Sequence, residues 1–69
     1  MPLLMAEIGK KMQIIRVIGH DAVRKHLERL GFVAGSEVEV VSELGGNLIV
    51  SVKDSRIALD KALASKIIV

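Results

Sequence analysis

"LERLGFVAGSEVEVV", Leu27 to Val41, sets two of the chain's six glycines four residues apart, between a helical pattern and a strand pattern. Gly31 stands where a helix commonly ends in a left-handed residue, a conformation glycine adopts without a Cβ clash. Phe32, one residue later, is then placed to fold back onto Leu27 and seal that end. Gly35 serves as the turn residue that launches the next strand. Phe32, Val33 and Ala34 form a short apolar connector between them. From Ser36 the chain alternates, with Val38 and Val40 on one face and Glu37 and Glu39 on the other, the period of a half-buried strand.

Working toward the N-terminus, "HDAVRKHLERLG" keeps a helical period. Val23, Leu27 and Leu30 fall at i, i+4 and i+7, while Arg24, Lys25, Glu28 and Arg29 take the other side. Asp21 is the expected N-cap, its carboxylate accepting from free N–H groups of the first turn. Arg29 in the last turn suits the negative end of the helix dipole. Before the helix, "KMQIIRVI" (Lys11–Ile18) carries β-branched residues on both faces, reads as one strand buried on two sides, and stops at Gly19.

Toward the C-terminus, "ELGGN" is a hairpin turn whose glycines supply positive φ. "LIVSV" returns with Leu48, Val50 and Val52 facing one way. "KDS" makes a second tight turn and "RIAL" a third short strand. "DKALASK" reads as one helical turn capped by Asp60, and "IIV" as a closing strand. The expected fold is therefore mainly β with a short inserted helix. Five short strands joined by tight turns suit a small SH3-like β-barrel, since closure removes exposed sheet edges.

The composition narrows the class. Sixty-nine residues make a single domain, residues 1–69, which buries only roughly 60% of its unfolded surface. There is no cysteine, so no disulfide or thiolate metal site reinforces it, which suits a reducing cytoplasm. Apolar residues are 51% of the chain and Phe32 is the only aromatic, so the core is aliphatic. The hydrophobic fraction is high for so short a chain; a dense core accounts for it, and a patch kept for a partner is the other account. The longest uncharged stretch, Leu44–Val52, is far short of a membrane span. "MPLLMAEIG" lacks the basic leader of a signal peptide.

Chemistry is sparsely provided. Glu37 and Glu39, two strand positions apart, read as a solvated outer face rather than a catalytic pair. Gly45-Gly46-Asn47 lacks the lysine and Ser/Thr of a phosphate-binding loop. His20 and His26 are six apart, about 240° around a helix, so one helix cannot aim both at one ion. His20 is expected to be exposed and His26 half-buried, with no dedicated metal site and no cofactor. One phenylalanine cannot build the aromatic groove that proline-rich peptides use, nor a stacking platform for single-stranded nucleic acid. A net charge of +2 is too small to imply nucleic acid by itself. A small barrel that contacts RNA or DNA through charge alone, with Arg24, Lys25 and Arg29 on the helix, is the alternative function.

Three fragments, "LLMAEIGKKMQIIRV", "LERLGFVAGSEVEVV" and "SRIALDKALASKIIV", together resemble the FeoA family of small bacterial and archaeal proteins. Leu3, Gly9 and Ile14 match its opening. Leu30, Gly31, Gly35, Val38 and Val40 match its centre, and Ile57, Ala58, Leu59, Leu63, Ala64, Ile68 and Val69 its close. Ala34 departs from the pattern, since many members carry a proline before the second glycine. The resemblance implies an SH3-like barrel that is not an enzyme. It also implies a cytoplasmic accessory role in ferrous iron transport beside FeoB, the membrane transporter with a cytosolic GTP-binding domain. On that basis the helix and its connector are the expected docking face, with Arg24, Lys25 and Arg29 steering by charge and Phe32 and Val33 giving apolar contact. Asp21, Gly31 and Gly35 are expected to act as structural turn and cap residues. No small-molecule substrate is expected; weak self-association is compatible with so small a domain.

Overall fold

Alternation along two neighbouring strands builds the centre of the molecule. Val38 and Val40 on one strand, and Leu48, Val50 and Val52 on the next, turn inward and are at most 4% exposed. The computed structural model describes residues 1–69. A 3-10 turn at Leu3–Met5 is followed by β1 (Lys11–Gln13), β2 (Arg16–Val17), α1 (Asp21–Arg29), β3 (Glu37–Leu44), β4 (Asn47–Val52), β5 (Ser55–Asp60), α2 (Lys61–Ala64) and β6 (Ile67–Ile68). One antiparallel sheet has the order β1-β3-β4-β5, and a second pairs β2 with β6. The mostly β, SH3-like architecture with a short helix is thus present, with six strands rather than five.

The additional strand comes from the first segment. Lys11–Ile18 is not one strand buried on two sides but two short strands in different sheets, β1 on β3 and β2 on β6. The division falls between neighbours: the Ile14 N–H donates to the Ser36 carbonyl (2.9 Å), and the Ile15 N–H to the Ile68 carbonyl (2.8 Å). Turning from one sheet to the other releases the second face, so Ile15 is 60% and Ile18 40% exposed. The segment is the seam that joins the two sheets around one core.

That core is a single cluster of thirteen buried residues drawn from every part of the chain, including Leu3, Ile14, Leu27, Phe32, Leu59 and Ile67. Each fully buried Leu, Ile, Val or Phe contributes roughly 1.5–3 kcal/mol relative to exposure. The high apolar fraction has a second destination as well. Met5, Ile8 and Leu44 stand 60% or more exposed, alongside Ile15.

Local devices hold the elements in place. The β3–β4 turn has Gly45 at φ +58 and Gly46 at φ +85. The β4–β5 turn has the same positive φ at Lys53 (+47) and Asp54 (+62). Asp60 caps α2, its Oδ1 accepting from the Leu63 N–H at 2.7 Å. In β3 the register slips by one between Val40 and Ser42, which makes Val41 the extra residue of a β-bulge.

Candidate partner-binding face on α1

Leu27 is fully buried and Val23 and Leu30 half-buried, so the apolar side of α1 is spent on the core and its other side faces outward. The helix ends as the two glycines imply. The Gly31 N–H donates to the Glu28 carbonyl and the Phe32 N–H to the Leu27 carbonyl, both at 3.0 Å. These are the paired bonds of a Schellman motif, with Gly31 at φ +107. Gly35, at φ +89, donates its N–H to the Ile14 carbonyl at 2.8 Å and so ties the connector to the seam.

The start of α1 differs from expectation. His20, extended at φ −68 and ψ 156, occupies the N-cap position and makes no side-chain capping bond. Asp21 is the first helical residue instead. A capping side chain must stand on the extended residue just outside the helix, and Asp21 is one position too far in. Its carboxylate accepts from the Arg24 guanidinium, one turn away, and favours the positive end of the dipole.

This pairing divides the three basic candidates. Arg24 is committed to Asp21, and the other ion pairs of the chain are Lys11–Glu37 (4.0 Å) and Lys61–Glu43 (3.5 Å). Lys25 and Arg29 belong to none of them. At i and i+4 they are neighbours about 40° apart on the helix surface, whereas Arg24 lies about 140° from Arg29. Both are exposed. The connector divides likewise: Phe32 is 0% exposed and belongs to the core, while Val33 is half-buried. Of the apolar pair only Val33 reaches the surface.

Lys53 joins this end of the helix although no local pattern pointed to it. A Cβ built on Gly31 would lie 3.2 Å from Lys53 Cδ, so the lysine stem crosses the helix C-terminus. The contact spans two elements far apart in sequence, and the only local signal was the "KD" turn itself. An ammonium at that end is favoured by the dipole.

The outer face of the larger sheet has a different character. Register aligns Lys11, Glu39, Ser51 and Arg56 in one row across its four strands. An open groove of about 440 Å³ runs there, lined by Lys11, Glu37, Glu39, Ser51, Lys53 and Asp54. Signs alternate along it, the arrangement of a solvated face. His20 and His26 are both exposed, which corrects the half-buried reading of His26; its ring lies beyond the flank of the apolar stripe. No three His, Cys, Asp or Glu side chains stand together as a metal-holding group.

The FeoA domain profile matches residues 1–69, the whole chain. This chain belongs to the FeoA family. A Methanocaldococcus jannaschii protein with the proposed name Fe(2+) transport protein A is 31% identical over 68 residues, which are 99% of this chain and 83% of that protein. Stenotrophomonas maltophilia FeoA, solved in complex with zinc and described as an SH3 domain protein, superposes with a TM-score of 0.86. It is 31% identical and the match covers 99% of this chain and 87% of that one. An iron uptake regulatory FeoA superposes at 0.88 with 26% identity, covering 97% and 91%. Family membership makes this a ferrous iron transport accessory chain. No helix of this FeoA chain is long and apolar enough to cross a membrane.

Proposed function

We propose that this FeoA-family chain is a non-catalytic cytoplasmic accessory protein of ferrous iron uptake that docks on the cytosolic part of FeoB. The docking face is the outward side of α1 with the connector that follows it. The observation that carries this reading is the pair Lys25 and Arg29, adjacent, exposed and outside every ion pair. Unpaired cations on a rigid helix raise association rate and select an acidic partner surface. Val33 supplies apolar contact beside them, and Arg24 contributes less because Asp21 already neutralises it.

Nucleic acid fits this surface less well. Phe32 is interior, so the exterior offers no aromatic ring on which a base could stack. The outer sheet face mixes signs instead of presenting one.

The test is an NMR titration of the labelled chain with the cytosolic part of FeoB from its own organism, with a non-specific DNA duplex in parallel. Saturable shifts on Val23–Gly35 with the transporter fragment are expected, and a Lys25→Glu/Arg29→Glu double variant should weaken them by about tenfold or more while keeping its fold. An Arg24→Glu variant should have the smaller effect. Shifts with DNA that disappear as salt rises would favour the charge-driven reading instead. Transporter binding unchanged in the double variant would remove α1 from the interface.

A further inference from the structure

β5 is the last strand of the larger sheet, and its outer edge has no partner. It pairs with β4 through six consecutive register positions without a slip. None of the backbone hydrogen bonds that run outside the helices and strands involves Ser55–Asp60. An unpaired strand of this length, with no proline and no bulge, is a template for another strand.

The two-residue turn decides which groups face that edge. Val52 and Ser55 flank Lys53–Asp54 and form the closing pair of the turn. Hydrogen-bonded and non-bonded pairs alternate from there. The backbone groups of Ser55, Ile57 and Leu59 therefore point to β4, and those of Arg56 and Ala58, with the N–H of Asp60, point to the open edge. The Asp60 carbonyl, on the N-cap of α2, turns into that helix. Arg56, Ala58 and Asp60 are exposed, as is Ser55 beside the turn, while Ile57 is half-buried and Leu59 buried.

Read outward from Ala58, "RIALD" is complementary to itself. We propose that the open edge of β5 pairs antiparallel with β5 of a second copy of this chain, with Ala58 facing Ala58 across a two-fold axis. Arg56 then faces Asp60 of the other copy, and Asp60 faces its Arg56, giving two reciprocal ion pairs. Ile57 faces Leu59 on the inner face. Arg56 belongs to no ion pair within the chain. Asp60 uses only one carboxylate oxygen, Oδ1, on the α2 cap. The residue on the axis, where a side chain meets its own copy, is the small one.

Other registers fail on the same residues. Moving the axis to Ile57 sets Asp54 against Asp60 and leaves Arg56 against alanine. Moving it to Leu59 leaves Asp60 against alanine and carries Arg56 beyond the strand. A one-residue slip sets inner-face residues against outer-face ones. The chosen register continues both faces of the sheet and closes as an isologous dimer, joining two four-stranded sheets into eight strands. It is independent of the α1 face, which stays free.

Sedimentation equilibrium across micromolar to millimolar concentration tests this. The unmodified chain should show a reversible species of twice the chain mass. Arg56→Asp sets like charges opposite each other twice and should raise the dissociation constant about tenfold. Asp60→Arg should do the same with the opposite sign, at the expense of the α2 cap. Mixed together, these two variants carry complementary charges and should recover association that neither shows alone. Ala58→Pro removes an N–H that points away from β4, so it should keep the fold, checked by circular dichroism, and abolish the dimer. A monomer at every concentration overturns the proposal, as does a dimer indifferent to Arg56→Asp and Ala58→Pro. Failure of the mixture to recover association overturns the register.

Discussion

The β3–β4 and β4–β5 hairpins turn with the same sign of φ and with different residues. Gly45 and Gly46 reach +58 and +85, and a Cβ on either would meet no atom within 4 Å. Lys53 and Asp54 reach +47 and +62 with full side chains. The first turn uses residues to which the left-handed region is free. The second accepts strain and obtains in return a lysine stem that lies across the end of α1. Strain of this kind persists where the surroundings hold it in place. The glycine turn only reverses the chain, whereas the Lys–Asp turn also covers another element.

The largest effect expected along this contrast is at the place the lysine covers. Gly31→Ala forces a Cβ into φ +107 and to 3.2 Å from Lys53 Cδ. It should lose about 1–3 kcal/mol in urea denaturation. Adding Lys53→Ala should return only the share due to contact, so full recovery would show that φ at this cap matters less than the crowding. Gly46→Ala, at φ +85 in open space, should lose about 1 kcal/mol, the conformational term alone. Replacing Lys53-Asp54 with Asn-Gly removes the strain and should raise stability by up to about 1 kcal/mol. A fall instead would mean that the lysine's cover of the helix end outweighs its strained backbone. The smallest effect belongs to the exposed Lys61–Glu43 pair, where Glu43→Gln should change stability by no more than about 0.5 kcal/mol.

The features legible in the sequence were those with local causes. Gly31, the glycine hairpin and the Asp60 cap each follow from a backbone demand that few residue types meet, and each stands where its pattern placed it. The inward valines of β3 and β4 follow from alternation. The division of Lys11–Ile18 was not legible, because β-branched residues favour extended chain without saying which sheet that chain joins. Asp21 missed the cap by one position, since several residue types satisfy the extended backbone there and His20 took it. The Asp21–Arg24 pair did have a signal, opposite charges three apart on a helix, and it reduces the weight of Arg24 at the candidate face. Phe32 was ambiguous by nature. A large apolar residue at a helix end serves a core or a partner equally well, and only the packing of Leu27 and its neighbours resolves it inward. Lys53 over Gly31 and the open edge of β5 both depend on sheet order, which no window of sequence contains.

The extra residue at Val41 acts as a parity switch for the end of the β3–β4 hairpin. Val38 and Val40 point inward before it, and past it Glu43 stands opposite inward Leu48 while Leu44 stands opposite Asn47 on the other face. The switch puts an acid on the side of α2, where it meets Lys61, and an apolar side chain, 72% exposed, into water. Were Val41 paired in the ladder instead of bulged, those roles would exchange, directing Leu44 toward the core side and Glu43 outward. Deleting Val41, by contrast, would remove the bulge and leave the pairing of Glu43 and Leu44 as it is. One unpaired residue, which contributes nothing to the ladder itself, thus decides which chemistry each face of the tip carries.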